Sequence, residues 1–390
     1  MISTRRDFIK KLGMGASAVA ASTLLPPVAT ASAKKPNIVF LLIDDMGWMD
    51  SEPYGSKFYE TPGVNRMARE GMLFTDAYAQ PLCSPTRAAI MTGKYPSRLY
   101  LHQAITKNSK ENPVAHTKTA PNRRMAWPES RNHLPVEERT IAEEMKDLGY
   151  KTWFLGKWHL GYAEKYYPKN QGFDKSIAVG GAGPAGGYFS PHKIPEIENG
   201  PDGEYICERL TDEACKLLEE GKKGKEPFFL YLAHFNVHNP YQAKPDLIEK
   251  FEKTMDPTQH QRNPIMAAML YAMDQSVTRI LEKIDELDLA KDTVVVFVSD
   301  NGGCHWDMAD KKYRHVPITA NLPLRGGKCS FWEGGVRVPM IIKWPGKIEP
   351  GSKSSTPVHS IDFYPTLLEI AGGKPSKDKI LDGESILPVL

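Results

Sequence analysis

The sequence has 390 residues, 41% hydrophobic and 25% charged, a balance that suits a folded globular chain and excludes disordered, collagen-like and coiled-coil classes. Fifty Lys and Arg against 47 Asp and Glu leave a formal charge of +3, so the net charge points to neither a nucleic acid nor an anionic membrane surface. Five cysteines with no Cys-x-x-Cys pair exclude a disulfide scaffold, a zinc ribbon and thioredoxin chemistry.

Residues 1–33 read as an address. Arg5-Arg6-Asp7-Phe8 opens a basic segment, a Gly/Ala/Ser/Leu stretch follows, and Ala31-Ser32-Ala33 forms a cleavage-type site before Lys34. The pattern resembles a twin-arginine export signal, which implies a periplasmic or secreted protein. The alternative is an amphipathic helix or membrane anchor, but the apolar run is short of the ~20 residues a span needs, so stable membrane insertion is not expected. The mature domain is then 34–390.

Residues 36–45, Pro-Asn-Ile-Val-Phe-Leu-Leu-Ile-Asp-Asp, form an unbroken apolar run closed by two carboxylates, the pattern of a strand buried on both faces. Similar runs recur at 152–156, 228–233, 293–300 and 338–342, and helical patterns lie at 65–71, 140–148, 208–220 and 265–287. Strands alternating with helices predict a mostly parallel sheet covered on both faces, with ligands beyond the carboxyl ends of the strands. Asp44-Asp45, Lys157, His234–His238 and Asp300-Asn301 each fall just past a predicted strand. Segments 103–134 and 175–205 read as loops and candidate pocket walls, because irregular stretches beyond about 12–15 residues tend to be functional or disordered.

Asp44, Asp45, Asp300 and Asn301 offer hard oxygen ligands, which suit calcium or magnesium better than zinc. One aspartate at a strand end is ordinarily a cap or turn residue. Two acidic pairs closing two buried strands repel unless a cation neutralises them. Cys83-Ser84-Pro85-Thr86-Arg87 reads as a cysteine in a turn opening a helix, where the helix N-terminus and Arg87 favour an anion. A buried structural cysteine is the alternative.

Cys83-x-Pro85-x-Arg87, followed by Thr92-Gly93, resembles the maturation signature of the type I sulfatases, in which the cysteine is oxidised to formylglycine. Gly156-Lys157-Trp158-His159-Leu160-Gly161 matches that family's Gly-Lys-Trp-His-Leu-Gly box. Ile43-Asp44-Asp45-Met46-Gly47-Trp48, His238, Ser299-Asp300-Asn301-Gly302-Gly303 and Leu324-Arg325-Gly326-Gly327-Lys328 are similar to its other site segments, so the likeness runs from about residue 36 to the end.

The resemblance implies an α/β fold, an alkaline-phosphatase-like α/β/α sandwich with a large, mostly parallel central sheet. It implies that Asp44, Asp45, Asp300 and Asn301 hold one calcium ion together with an oxygen of modified Cys83. Arg87, Lys157 and His159 would position the formylglycine hydrate, while His238 and Lys328 face the sulfate and the leaving oxygen. His238 is expected as general acid and His159 as the base of the second step. A formylglycine-generating maturation enzyme is an implied partner, and the expected substrate is an aryl sulfate or sulfated carbohydrate of the arylsulfatase/N-acetylgalactosamine-sulfate sulfatase branch. Tyr188, Phe189 and Trp306 are candidates to stack on a sugar, with loop packing as the alternative. The rival readings are a phospho- or phosphonate-ester hydrolase of the same superfamily and an inactive sulfated-glycan-binding relic.

Cys207 and Cys215 are expected on one helix, about 12 Å apart and unable to bridge. Cys304 and Cys329 flank site residues and are a candidate pair. Asp382–Leu390 resembles the linker before a smaller antiparallel C-terminal subdomain, which is expected to be missing or truncated in this chain.

Overall fold

The computed structural model describes residues 34–106, 128–194, 196–376 and 378–390; the export-signal reading of 1–33 and the middle of the 103–134 loop lie outside them. In chain order the elements are β1 (Asn37–Ile43), α1 (Pro62–Glu70), β2 (Met72–Tyr78), α2 (Cys83–Thr92), α3 (Ile141–Asp147), β3 (Lys151–Lys157), β4 (Lys175–Gly180) and α4 (Ile206–Lys223). There follow β5 (Phe228–Ala233), α5 (Pro245–Glu252), α6 (Pro264–Glu286), β6 (Thr293–Ser299), α7 (Glu333–Val336), β7 (Arg337–Lys343), β8 (Ser352–Ser354), β9 (Val358–His359) and α8 (Phe363–Ile370).

One sheet runs β4-β3-β5-β1-β6-β7-β2-β8, with β9 also paired to β2. β3, β5, β1 and β6 are consecutive and parallel, whereas β7 is antiparallel to both β6 and β2. Alternation along β1 divides the core. Val39, Leu41 and Ile43 pack with residues of α1, α4 and α6, while Ile38, Phe40 and Leu42 pack with residues of α2, α3 and α8. The predicted sandwich is therefore present, and every predicted strand and helix lies within a few residues of its expected place. The 175–205 segment is not all loop: Lys175–Gly180 adds the edge strand β4 beside β3.

The α1–α6 contact carries a buried charge. Gly63 and Val64, at the start of α1, donate their backbone N–H groups at 2.8 Å to the Asp274 carboxylate on α6, which thereby caps the helix. Burial pushes Asp274 up to about 7 from 3.8, so the folded state holds its proton more tightly than the unfolded state. This group's stabilisation is present at low pH and is lost as pH rises through about 7; between pH ~5.5 and ~7.5 it falls by about 2 kcal/mol. Asp274→Asn removes the titration. Urea unfolding at those two pH values is expected to show the variant gaining about 2 kcal/mol relative to wild type at the higher pH. Parallel pH profiles would rule the effect out.

Candidate active site

Four adjacent parallel strands bring their carboxyl ends together. Asp44 and Asp45 follow β1, Lys157 closes β3, Asp300 and Asn301 follow β6, and His238 lies in the turn after β5. Gly156 makes the approach of β3 possible: at φ +94° a Cβ there would lie 1.9 Å from the Ala233 carbonyl oxygen of β5. Asp45 and His159 also take positive φ, 62° and 56°. For non-glycine residues this costs about 1–2 kcal/mol each, a strain that the surrounding packing holds at the site.

Cys83 is the first residue of α2, a helix buried along its whole length. Cys83 Sγ lies 3.3 Å from His159 Nδ1, and His159 Nε2 lies 2.7 Å from the Ile105 carbonyl oxygen. A carbonyl can only accept, so Nε2 carries the proton and Nδ1 is the acceptor facing position 83. Burial, and then the Lys157 charge, push His159 well below its ordinary value and keep it a neutral base. Ser84 Oγ donates to the His159 carbonyl at 2.9 Å and accepts from Ile105 N at 3.1 Å, tying the helix start to both partners.

Three carboxylates face three cations. Lys157 Nζ lies 2.5 Å from Asp44 Oδ2, and Lys328 Nζ lies 2.5 and 2.7 Å from the two Asp45 oxygens. Arg87 donates through Nε and Nη2 to Asp300 Oδ2 at 3.0 and 2.8 Å and through Nη1 to the Lys157 carbonyl. Arg87 is thus an anchor for Asp300 and the end of β3. Burial nonetheless pushes Asp44 up to about 6 against the pull of Lys157, and pushes Asp300 up to about 6 with the Asp44 charge adding to it. Burial acts on Asp45 in the same direction, but Lys328, His238 and Lys157 outweigh it and hold that carboxyl below its usual range.

The same residues fit a cation. Asp44 Oδ1 and Asn301 Oδ1 are buried without a hydrogen-bond partner. Asn301 Nδ2 donates to Asp45 Oδ1 at 2.8 Å, which fixes the amide's orientation. Asp44, Cys83 and Asp300 each offer one ligand atom, all within 4.8 Å of one another. Hard, mixed-charge oxygens supplied by the protein suit calcium.

His238 Nδ1 donates to the Asn239 carbonyl at 2.8 Å, leaving Nε2 on the Asp45 side, 3.9 Å from Oδ2. Burial and the Lys157 charge push this histidine down to about 3. Tyr188, a candidate sugar platform, is instead fully buried, its hydroxyl donating to the Phe235 and His238 carbonyls at 2.5 and 2.7 Å. It braces the His238 turn. Phe189 packs edge-on against Tyr205, and Trp306 is 45% exposed. His234 is occupied by Ser276 Oγ at 2.9 Å and stays outside the site.

The predicted catalytic and metal-ligating residues therefore converge, whereas Tyr188 and Phe189 are taken up by packing and His234 lies apart. Ile105 and Ser84 were not among those predicted, and Tyr188 was singled out for a different role, since what these residues do runs through backbone carbonyls that no side-chain pattern announces. Cys207 and Cys215 are buried on α4, as expected of packing residues. The candidate Cys304–Cys329 pair is not formed: Cys304 Sγ lies 3.5 Å from Asp45 Oδ2, while Cys329 is exposed and free.

The sulfatase family profile matches residues 36–373. The chain is 32% identical to a sulfatase of Formosa agariphila, covering 92% of this chain and 72% of that protein. It is 32% identical to N-acetylgalactosamine-6-sulfatase of Rattus norvegicus, covering 96% and 70%. Among solved structures it is similar to Ps i-CgsB in complex with k-i-k-neocarrahexaose, with a TM-score of 0.73 and 30% identity over 91% of this chain and 76% of that one.

Proposed function

Because this chain belongs to the sulfatase family of sulfuric ester hydrolases, we propose that it hydrolyses sulfate monoesters of a carbohydrate at Cys83, matured to formylglycine, with one calcium ion. The observation that carries the reading is the position of the Cys83 sulfur, beside a neutral His159 nitrogen and within metal-ligand reach of Asp44 and Asp300. Sulfated-glycan substrates are proposed because Ps i-CgsB was solved with a neocarrahexaose and the rat relative is named for a sulfated amino sugar.

Formylglycine hydrate would supply one hydroxyl to attack sulfur and a second whose deprotonation expels sulfate, and calcium would neutralise the charge that builds on the oxygens. The chain's own groups do the rest. His159 Nδ1 accepts the proton from position 83, its orientation held by the Ile105 carbonyl. Lys157 and Lys328 swing part of their charge from Asp44 and Asp45 to the sulfate oxygens. His238 Nε2 faces the leaving oxygen. The arriving ester anion raises its proton affinity, which lets it serve as general acid. Arg87 holds Asp300 in place throughout. Export by a twin-arginine route is part of the proposal; among the described residues no helix is long and apolar enough to cross a membrane.

The test pairs chemistry with modification. Purified from a host that matures sulfatases, the tryptic peptide containing Cys83 is expected to weigh about eighteen mass units less than its cysteine form. The same preparation is expected to turn over 4-nitrophenyl sulfate at least about 100-fold faster than 4-nitrophenyl phosphate. A faster phosphate reaction would favour the phosphoester reading. An unmodified thiol with no turnover of either ester would favour the binding relic.

A further inference from the structure

We infer that a cavity beside the catalytic centre is a second anion subsite, which takes a sulfate or carboxylate on the sugar ring next to the one that carries the scissile ester. This rests on the sulfated-glycan reading above and adds where the rest of the substrate is held. The cavity has a volume of about 560 Å³, and His260, Arg262, His305, Asn321 and Arg325 are among the residues that line it. No carboxylate lines it.

Both arginines are held by neutral groups. Arg262 Nη1 donates to the Gln259 carbonyl at 2.8 Å, and the Arg325 guanidinium lies 3.7 Å above the Trp332 ring. No carboxylate pair is seen for Arg262 or Arg325 among the described residues; the same is true of Arg69, Arg131 and Arg314, but these two line one cavity together. Two cations left without counter-charge in one concave site attract an anion strongly, and a guanidinium offers the forked donors that sulfate and carboxylate accept.

The cavity is fastened to the catalytic machinery. Asn321 accepts from Gly303 N at 3.2 Å and donates to the carbonyls of Gly303 and Gly326 at 3.0 and 3.2 Å. The Gly303 carbonyl in turn accepts from Lys328 N at 3.1 Å, so the cavity wall and the Lys328 backbone share one anchor. Behind the wall the buried Asp50 accepts from Thr319 Oγ1 at 2.5 Å, Gln261 Nε2 at 2.9 Å and Gly47 N at 2.8 Å, which ties it to the loop after Asp45. A wall built this way keeps the spacing between the two anion positions constant. Trp306, 45% exposed and in edge contact with the lining residue His305, offers a ring against which a sugar face can lie.

The experiment measures direct binding to the full mature protein, with calcium present, of three probes: a fully sulfated glucan tetrasaccharide, a tetragalacturonate and inorganic sulfate. Turnover of 4-nitrophenyl sulfate is followed in parallel. Arg262→Gln is expected to weaken the sulfated tetrasaccharide about tenfold. Inorganic sulfate and aryl-sulfate turnover are expected to stay within about twofold, and Arg262→Lys to recover part of the loss. A matching loss for tetragalacturonate assigns the subsite to anionic sugars in general; its absence assigns it to sulfate. Unchanged affinity for both tetrasaccharides, or an equal loss for inorganic sulfate, overturns the subsite while leaving the sulfatase reading intact. Arginine-dependent tetrasaccharide binding without aryl-sulfate turnover would instead overturn the sulfatase reading and keep the subsite.

Discussion

Cys83→Ala is expected to lower turnover of 4-nitrophenyl sulfate by about 10⁴-fold or more while moving the melting temperature by no more than about 2 °C. The catalytic loss is large because no neighbour can replace the side chain. Ser84 Oγ, the nearest hydroxyl in sequence, is spent on the His159 carbonyl and the Ile105 amide, and Cys304 is turned to Asp45. The stability cost is small because α2 keeps its buried face through Ala88, Ile90 and Met91, and loses only one sulfur from a polar cradle. Cys83→Ser sharpens the test. It restores one hydroxyl beside His159 Nδ1 but lacks the second that a hydrate would use to expel sulfate, so it is expected to allow at most one turnover per molecule. Sustained turnover by either variant would show that the nucleophile lies elsewhere.

That prediction draws on a site whose parts were legible in the sequence to different degrees. The central strands were plain because burial on both faces forces continuous apolar runs, as in Val294–Val298 and Phe228–Ala233. β2 was not, since Thr75 and Asp76 interrupt its run where its pairing with β7 shifts register between Phe74 and Ala77. β4 was hidden as a short edge strand at the head of a glycine-rich stretch, where weak patterning is normal. At the site, the carboxylates and Cys83 were visible because strand ends and a helix start place them regardless of the rest of the chain. What each cation does depends on tertiary geometry. Nothing in the spacing Cys83–Arg87 says that the guanidinium turns from the thiol to Asp300, 213 positions away. The same holds for Asp274, which local pattern reads as a polar residue inside a helix and which the fold uses as a cap for another one.

Chelation of calcium is the second perturbation with a large expected effect, because the ion-free site can be held together in two ways that its charges alone do not distinguish. Three carboxylates and three cations already balance, and a self-contained cluster of Lys157–Asp44, Lys328–Asp45 and Arg87–Asp300 pairs would need no metal. Two observations speak for the ion. Asp44 Oδ1 and Asn301 Oδ1 remain buried with nothing to accept from, at a cost of about 1–3 kcal/mol each. Asp44 and Asp300 are also both pushed up to about 6 despite their cationic neighbours, so the cluster leaves their charge under-compensated. Calcium at about 100 times its dissociation constant is therefore expected to add about 2.7 kcal/mol of stability, read as a rise of a few degrees in melting temperature, and to restore turnover after chelation. Asp44→Asn is expected to weaken calcium by at least about 100-fold, so that the rise disappears at the same calcium concentration. It leaves Lys157 an oxygen to donate to but removes that buried cation's counter-charge, so the calcium-free variant is expected to melt several degrees below wild type, and the diagnostic is the lost calcium-dependent rise. If the wild type melted identically with and without calcium, and Asp44→Asn lowered both temperatures alike, the carboxylates would belong to the ion-pair cluster alone. Lys157 and Lys328 would then be too firmly engaged to turn toward a sulfate.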